Sequence, residues 1–258
     1  MSIYDKDLIT GLNKIETSIQ RMREWMPEDI YYGGYSGGKD SDVCKGLAIL
    51  GNIPVEWHYN QGGIDPPELV YHVRSQPEVK IDKPPKPILQ MVVKKGYPCR
   101  QSRWCCEYVK ESGGNGRSVI LGLRSSESAR RKHRPVVESQ VKGKINRLIL
   151  CPIIDWTERD IWEFIRDYNI KYCSLYDEGF RRLGCVLCPM ETKRQTQINL
   201  KKFPKIAEAW RRAFVRLYES RLITNPDVVS KWNSANEMWE WWLTRESSKT
   251  IKEQGILL

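Results

Sequence analysis

A glycine-rich turn carrying a lysine and an aspartate follows an early apolar run of this 258-residue chain. Adjacent glycines let backbone N–H groups approach an anion closely, and a helix that begins there adds partial positive charge. The spacing differs from the Walker loop, which has four residues between its first glycine and its Gly-Lys pair. The turn supplies hydroxyl donors, a cation and a carboxylate suited to Mg²⁺. The sequence therefore predicts a phosphate cradle made by Ser36, Gly37, Gly38, Lys39, Asp40 and Ser41.

Four of the eight cysteines form two close pairs. Cys105 and Cys106 are adjacent, whereas two residues separate Cys185 from Cys188. Two thiolate pairs can complete a tetrahedral Zn²⁺ site or hold a [4Fe–4S] cluster. Because paired zinc ligands usually have two to four residues between them, the adjacent pair favours the cluster. Zinc and four buried thiols without a metal remain the alternatives.

The other cysteines have two kinds of surroundings. Cys99 lies in the cationic, loop-like segment 96–103, where positive charge would lower a thiol pKa. We expect it either to carry sulfur as a persulfide or assist a cluster, or to be an ordinary thiol. Cys44, Cys151 and Cys173 have apolar neighbours and are predicted core residues.

The composition narrows the class of protein. No run of eighteen apolar residues is present, so no membrane span is expected, and the N-terminus lacks the layout of a secretory signal. We therefore expect a cytoplasmic protein. The net charge of +10 is concentrated in residues 124–147, with eight Lys and Arg, and 191–221, with nine. These blocks predict an anionic partner larger than a nucleotide, with a solvated basic face as the alternative.

Strand and helix patterns alternate through the first two thirds of the chain. The predicted strands are residues 30–35, 54–59, 79–81, 118–123 and 147–154, and the predicted helices are 8–22, 41–50, 66–75, 88–95 and 157–168. This alternation predicts an α/β fold, a Rossmann-like parallel sheet with helices on both faces. Ligands of such sheets bind at the carboxyl ends of the strands, where the phosphate turn, Asp65 and residues 122–124 would lie.

The pattern changes after Tyr172. A loop with the second cysteine pair is followed by basic helices, one beginning at Pro204, and by a tryptophan-rich helix over residues 235–247, whose aromatics we expect to pack in a core. We predict two domains: an α/β nucleotide-binding domain over residues 1–172 and a cysteine-loop and helical region over residues 173–258.

Three further segments complete a family pattern. They are Asp65-Pro66-Pro67-Glu68-Leu69, the run from Gly122 to Arg131, and the run from Pro152 to Trp162. With the phosphate turn, which looks like the PP-loop of ATP pyrophosphatases, they resemble the phosphoadenosine phosphosulfate (PAPS) reductase family over residues 30–189. The resemblance implies a PP-loop fold that binds ATP and Mg²⁺ and releases AMP and pyrophosphate. It adds Asp65, Gly122, Arg124, Glu127 and Arg131 to the expected nucleotide-binding residues, and it implies catalytic roles for Lys39, Asp40, Arg124 and Cys99.

The resemblance also points to one branch of the family. PAPS and adenosine phosphosulfate (APS) reductases use a cysteine in a late Glu-Cys-Gly-Leu/Ile-His sequence and generally lack the lysine and aspartate of this turn, whereas the last cysteine here is Cys188. The chain is more similar to members that combine an intact PP-loop with an iron–sulfur cluster, such as the PAPS-reductase-like subunits of DNA phosphorothioation systems. Lys39 is expected on a solvent-facing loop.

That branch implies a function and partners. ATP would adenylate a nucleic acid, with DNA favoured, so that sulfur from a cysteine desulfurase or another donor could be incorporated, in a larger modification complex. The alternatives are tRNA thiolation, PAPS or APS reduction with an external thiol, and a non-catalytic nucleotide-sensing subunit.

Overall fold

The computed structural model describes residues 2–142 and 145–244 and divides the chain into two compact units. The first, which we call the sheet unit, comprises Met1–Asn60, Pro67–Asp82 and Ser112–Leu183. The second, the cysteine unit, comprises Gln61–Pro66, Lys83–Glu111 and Gly184–Leu258. The predicted boundary between residues 172 and 173 does not coincide with this division. Residues 173–183 belong to the sheet unit, and the inner segments Gln61–Pro66 and Lys83–Glu111 belong to the cysteine unit. In the described part of the chain, no helix is long and apolar enough to cross a membrane.

The sheet unit is built around six strands in the order β3-β2-β1-β4-β6-β5. The strands are β1 (Tyr31–Gly34), β2 (Val55–Asn60), β3 (Val79–Asp82), β4 (Ser118–Leu121), β5 (Val137–Lys142) and β6 (Ile145–Leu150). All neighbouring strands are parallel except β5 and β6, which form an antiparallel pair. Parallel neighbours require crossover connections, and α-helices supply those from β1 to β2 and from β2 to β3. The predicted α/β PP-loop fold class is confirmed.

The helices of the described residues agree closely with the predicted ones. They are α1 (Lys14–Glu24), α2 (Lys39–Leu50), α3 (Pro67–Arg74), α4 (Ile88–Lys95), α5 (Glu158–Asp167), α6 (Lys193–Lys202), α7 (Pro204–Thr224) and α8 (Ala235–Thr244). Helix α2 is buried along most of its length between β1 and the rest of the sheet-unit core. The buried part of this helix includes the charged residues Lys39, Asp42 and Lys45, and each of them has an ion-pair partner. Ile49 and Leu50, at the end of the helix, are exposed.

Three sequence predictions differ from the structure. The first helix begins at Lys14 rather than Leu8, because Asn13 forms a capping box with Glu16 and Gly11 has a positive φ of 69°. The strand predicted over residues 147–154 ends at Leu150, and a turn follows. Strand β5 was not predicted, since it lies inside a basic block. The predicted helix end at residue 247 lies outside the described residues.

The cysteine unit is helical, and its core is aromatic. Pro204 occupies the first turn of α7, where its missing N–H costs nothing. Phe214 packs against Trp242 and Trp239, with ring centroids 5.0 and 5.3 Å apart. The Trp242 Nε1–H donates to Pro98 O at 2.7 Å. The tryptophans at 239 and 242 are therefore buried core residues, as expected.

Candidate functional site

The phosphate turn is a tight connection between β1 and α2. Gly37 has a φ of +71°, and a Cβ there would lie 2.7 Å from Leu69 Cδ1, so both the backbone and the packing require glycine. Ser41 Oγ donates to Gly38 O at 2.7 Å and lies 3.1 Å from Ser36 Oγ. The two serines thus brace the turn. Gly38 is the N-cap of α2, and as a glycine it has no side chain that could cap the helix. The positive end of the helix dipole therefore lies at this turn.

Lys39 is buried, and the expectation of a solvent-facing loop was wrong. It is the first residue of α2 and only 3% exposed. Its Nζ lies 3.4 Å from Asp40 Oδ2, from Glu158 Oε1 and from the carbonyl oxygen of Arg181. It also lies 5.2 Å from the centre of the Tyr176 ring. The helix begins earlier than predicted, and this places the lysine stem inside the site.

Arg124 is the second buried cation of the site. It is 4% exposed, its Nε donates to Asp40 Oδ1 at 2.5 Å, and its Nη2 donates to Glu158 Oε2 at 2.7 Å. Burial raises the pKa of Glu158, but the charges of Lys39 and Arg124 more than offset this and hold that pKa below its ordinary value. Two cations and two carboxylates therefore form one charge-balanced cluster at the start of α2.

Gly122 brings this cluster together. It follows β4, and a Cβ on it would lie 2.7 Å from Asp40 O and 3.0 Å from Ser41 N. The carboxyl end of β4 thus touches the backbone of the first turn of α2. Glycine is required by this close approach, which places Arg124, two residues later, beside Asp40.

A second arginine group lies in the same unit. Arg131 pairs with Glu127, and its pKa is lowered by burial and by the like charges of Arg182 and Arg134. Arg134 pairs with Glu138 and is partly buried. Arg182 and Arg134 thus add positive charge around Arg131, and Glu127 and Glu138 offset part of it.

Two residues that contact Lys39, Glu158 and Tyr176, were not predicted from the sequence as site residues. Glu158 is the first residue of α5 and follows the N-cap Thr157, where an acid is expected simply to complement the helix dipole. Glu158 lies within the Pro152–Trp162 segment of the family pattern, and this position could have identified it as a site residue. Tyr176 ends a single 3-10 turn, Ser174–Tyr176, 137 residues from Lys39, and no periodicity of the sequence indicates its contact with that lysine.

Asp65 belongs to the cysteine unit rather than to the sheet unit. Its Oδ2 accepts a hydrogen bond from Gly62 N at 3.1 Å, and the residue is 9% exposed. Its charge acts on Lys110 and Cys185. The structure therefore groups this predicted nucleotide-binding residue with the cysteines.

The four paired cysteines line one largely apolar pocket of the cysteine unit. Its other lining residues are Ile64, Ile88, Pro98, Val109, Lys110, Pro189 and Trp210. Cys106 begins a single π-helical turn, Cys106–Lys110. Val186 N donates to Ile64 O at 2.8 Å, and Leu187 has a positive φ of 60°, which produces the tight turn between Cys185 and Cys188.

The surroundings of the pocket lower the pKa of one thiol, Cys106, and raise the pKa values of Cys105 and Cys185. A hydrogen bond from Cys105 lowers the pKa of Cys106, and Arg103, whose Nη2 lies 3.4 Å from Cys106 Sγ, lowers it further. The hydrogen bond between Cys105 and Cys106 raises the pKa of Cys105. Burial raises the pKa of Cys185 to about 12, and Lys110 opposes that rise.

The four cysteines line one largely apolar pocket together with Lys110, and four thiolates are the ligand type of an iron–sulfur cluster. Across residues 2–142 and 145–244, no three His, Cys, Asp or Glu side chains are arranged to hold a metal ion. The shared metal centre therefore stays a prediction.

The remaining cysteines are not among the residues that line this pocket. Cys99 is not among the pocket-lining residues, and its Sγ accepts from Ser102 N at 3.3 Å within a turn. Cys44, Cys151 and Cys173 are buried in the sheet unit, as predicted. Burial raises the pKa of Cys151 to about 11, as expected for an inert core thiol.

The family assignment rests on a sequence profile that matches more than half of the chain. The sequence profile described as the phosphoadenosine phosphosulfate reductase domain matches residues 32–191. This chain belongs to that family. The match includes the phosphate turn, Arg124, Glu158 and both cysteine pairs.

Individual relatives of this PAPS-reductase-family chain are distant. It is 28% identical over 222 residues to an uncharacterized protein of Methanocaldococcus jannaschii, covering 80% of this chain and 53% of that protein. It is 31% identical over 91 residues to an adenosine 5′-phosphosulfate reductase of Bacillus anthracis, covering 33% of this chain and 39% of the reductase. The chain thus spans about half or less of the length of these curated relatives.

A solved structure agrees at the level of the fold. The phosphate complex of phosphoadenylyl-sulfate reductase from Candida auris superimposes with a TM-score of 0.52 at 18% identity. The match covers 66% of this chain and 88% of the reductase. This likeness supports the family fold and carries no further conclusion about chemistry.

Proposed function

We propose that this chain is an ATP pyrophosphatase of the PAPS reductase family that adenylates a nucleic acid for sulfur incorporation. DNA phosphorothioation is the favoured reaction. The observation that carries the proposal is the ion-paired cluster at the N-terminus of α2, in which the buried cations Lys39 and Arg124 contact the partly buried Asp40 and the more exposed Glu158. A preorganised pair of cations beside backbone N–H groups suits an oligophosphate whose charge grows as pyrophosphate leaves.

Each member of the cluster has a role in this reaction. An acceptor oxygen attacks the α-phosphorus of ATP, the bond to the bridging α–β oxygen breaks, and pyrophosphate leaves. Lys39 and Arg124 stabilise the negative charge that accumulates on the leaving group. Asp40 and Glu158 hold the two cations in position, and their oxygens are the ligand type that Mg²⁺ prefers. Mg²⁺, when bound, neutralises phosphate charge further.

The cysteine pocket would serve the sulfur half of the reaction. Cys105, Cys106, Cys185 and Cys188 would hold the [4Fe–4S] cluster, with Zn²⁺ as the alternative. The cluster would supply an iron site for sulfur delivered by a cysteine desulfurase or another donor. Arg103 and Lys110 favour the thiolate forms that ligation needs. Cys99 remains a candidate sulfur carrier outside the pocket.

The distribution of free cations favours one basic block as the nucleic-acid surface. In the block over residues 124–147, Arg124, Arg131, Arg134 and Arg147 all have partners within the sheet unit. These contacts occupy four of the eight cations in that block. That block is therefore partly neutralised, and fewer of its charges are available to an external polyanion.

The other block presents a stripe of unpaired charge on α7. Lys205, Arg212 and Arg216 are exposed, and within the described residues none has an ion-pair or hydrogen-bond partner for its side chain. Separations of seven and four residues place all three on one helix face, about 10 Å and about 6 Å apart along the axis. We call this set the α7 stripe. A row of cations of this kind suits a nucleic-acid backbone.

The direct test of the proposed function is product analysis with ATP. The chain, supplied with DNA and a sulfur donor, should release AMP and pyrophosphate. Lys39→Met should abolish this release. Lys80→Met, which changes an exposed lysine of the same unit, is the matched control and should retain it. Release of ADP instead, or full turnover by Lys39→Met, would refute the proposal.

The acceptor is tested through the α7 stripe. Reversing Lys205, Arg212 and Arg216 to Glu should weaken duplex DNA binding and flatten its logarithmic salt dependence by about 0.9 units per lost phosphate contact. The control reverses three exposed lysines elsewhere in the same unit, Lys83, Lys86 and Lys94. Equal effects of both triple variants would show that the stripe is a solvated face.

The nature of the sulfur product separates the remaining candidates. Mass spectrometry of DNA and tRNA from cells with and without the gene should find phosphorothioate in DNA only when the gene is present. Thiolated tRNA would instead support the thiolation alternative. Sulfonucleotide reduction is favoured by the similarity to an APS reductase. ATP-independent sulfite release from PAPS or APS, with an external thiol, would identify that activity.

A further inference from the structure

A tyrosine hydroxyl lies at the N-terminus of α2, where Gly38 provides no side-chain cap. Tyr176 Oη accepts a hydrogen bond from the backbone N–H of Lys39 at 3.0 Å. The same oxygen lies 3.2 Å from the position that a Cβ on Gly38 would take. The amide of the first helical residue is one of the donors that an anion at a helix N-terminus uses. A neutral oxygen from another part of the chain therefore sits where a phosphate oxygen would bind.

The same segment also holds the side chain of Lys39. The ammonium group lies 5.2 Å from the centre of the Tyr176 ring and 3.4 Å from the carbonyl oxygen of Arg181. Both donors that Lys39 could offer to a phosphate, its amide and its ammonium, are thus engaged by residues 176–181. In the free protein this segment caps the cradle.

Tyr176 is held by its aromatic neighbours and stays neutral. Its ring packs edge to face on Trp162, with centroids 5.5 Å apart, and lies 6.3 Å from Tyr172. Burial raises the pKa of Tyr176, so its hydroxyl is protonated near neutral pH. A neutral hydroxyl accepts from an amide more weakly than a charged phosphate oxygen does. The contact is therefore one that an oligophosphate can replace.

We propose that the Tyr176 hydroxyl takes the place of a phosphate oxygen on the Lys39 amide in the free protein, and that binding of an oligophosphate displaces it. Tyr176 is then a gate on the phosphate cradle. The inference rests on the proposed function for the identity of the ligand, a nucleotide di- or triphosphate. Its test needs binding alone and no turnover, so the two can fail separately.

Calorimetry with inorganic pyrophosphate on the full chain tests the gate. Tyr176→Phe keeps the ring over Lys39 and removes only the competing acceptor, so it should tighten pyrophosphate binding by about 2- to 12-fold, the worth of one net hydrogen bond. Tyr4→Phe is the matched control, because the Tyr4 hydroxyl donates to Asp167 Oδ2 at 2.8 Å, outside the 176–181 segment. Its affinity should equal that of the wild type. Weaker or unchanged binding by Tyr176→Phe would overturn the gate.

Fluorescence supplies a second readout that a purely structural role of Tyr176 would not move. Displacing the ring from Trp162 should change tryptophan emission when pyrophosphate is added, and most of that change should be absent in Trp162→Phe. The same emission change in both proteins would overturn the displacement. If pyrophosphate binding follows these expectations while no AMP forms from ATP, the gate stands and the proposed pyrophosphatase activity fails.

Discussion

Adding one methyl group at Gly122 should test how the site is assembled. In Gly122→Ala the new Cβ would lie 2.7 Å from the carbonyl oxygen of Asp40, 2.8 Å from its carbonyl carbon and 3.0 Å from Ser41 N. All three atoms are backbone, so no side chain can rotate away to make room. Either the end of β4 or the first turn of α2 has to shift.

The expected cost follows from this geometry. Overpacking of a closely packed position typically costs about 1–3 kcal/mol. For a chain of this size, 1 kcal/mol corresponds to about 2–4 °C in Tm, so Tm should fall by about 2–12 °C. A shift between β4 and α2 also separates Arg124 from Asp40, which are 2.5 Å apart through Nε and Oδ1. Affinity for ATP and pyrophosphate should therefore fall as well.

The assay combines calorimetry of unfolding with pyrophosphate titration. Gly184→Ala is the control, because a Cβ at that position meets no atom within 4 Å and its backbone is not in the left-handed region. The control should match the wild type in both measurements. If Gly122→Ala left both Tm and affinity unchanged, the close approach of β4 to α2 would not be what positions Arg124 beside Asp40.

Other substitutions should have separable effects. Thr157→Ala removes the side-chain cap on Asp160 N, and should cost about 1 kcal/mol of unfolding free energy, or about 2–4 °C in calorimetric Tm. The folded-state pKa of Glu158 is depressed, so its ion pairs stabilise fully above the ordinary value of 4.5 and progressively less as pH falls through the folded pKa. The Tm difference between wild type and Glu158→Gln should accordingly be constant from about pH 6 to 8 and shrink below about pH 4.5; a constant difference at pH 3 would contradict this. After anaerobic reconstitution, Cys188→Ser should lose bound iron while Cys99→Ser retains it, measured by iron analysis, and equal retention would separate iron binding from the pocket.

Local features of this protein could be predicted from the sequence because neighbouring residues cause them. The phosphate turn needs glycine at position 37, and Thr157 caps α5 through its own side chain. Helix α4 was predicted with its observed bounds, Ile88–Lys95. The alternation of strand and helix patterns sufficed for the α/β class, since only a parallel sheet with crossover helices satisfies it. Pro204 likewise marked the start of α7.

Contacts between distant segments were decided by the tertiary structure alone. The burial of Lys39 depends on Glu158 and Tyr176, which are more than a hundred residues away in the chain. Arg124 meets Glu158, 34 residues later in the chain, and Asp65 belongs with Lys110 and Cys185 rather than with the strand it follows. Periodicity and spacing report which face of an element is apolar. They carry no information on which distant charge or ring that element meets, and this is what determines the electrostatics of the site.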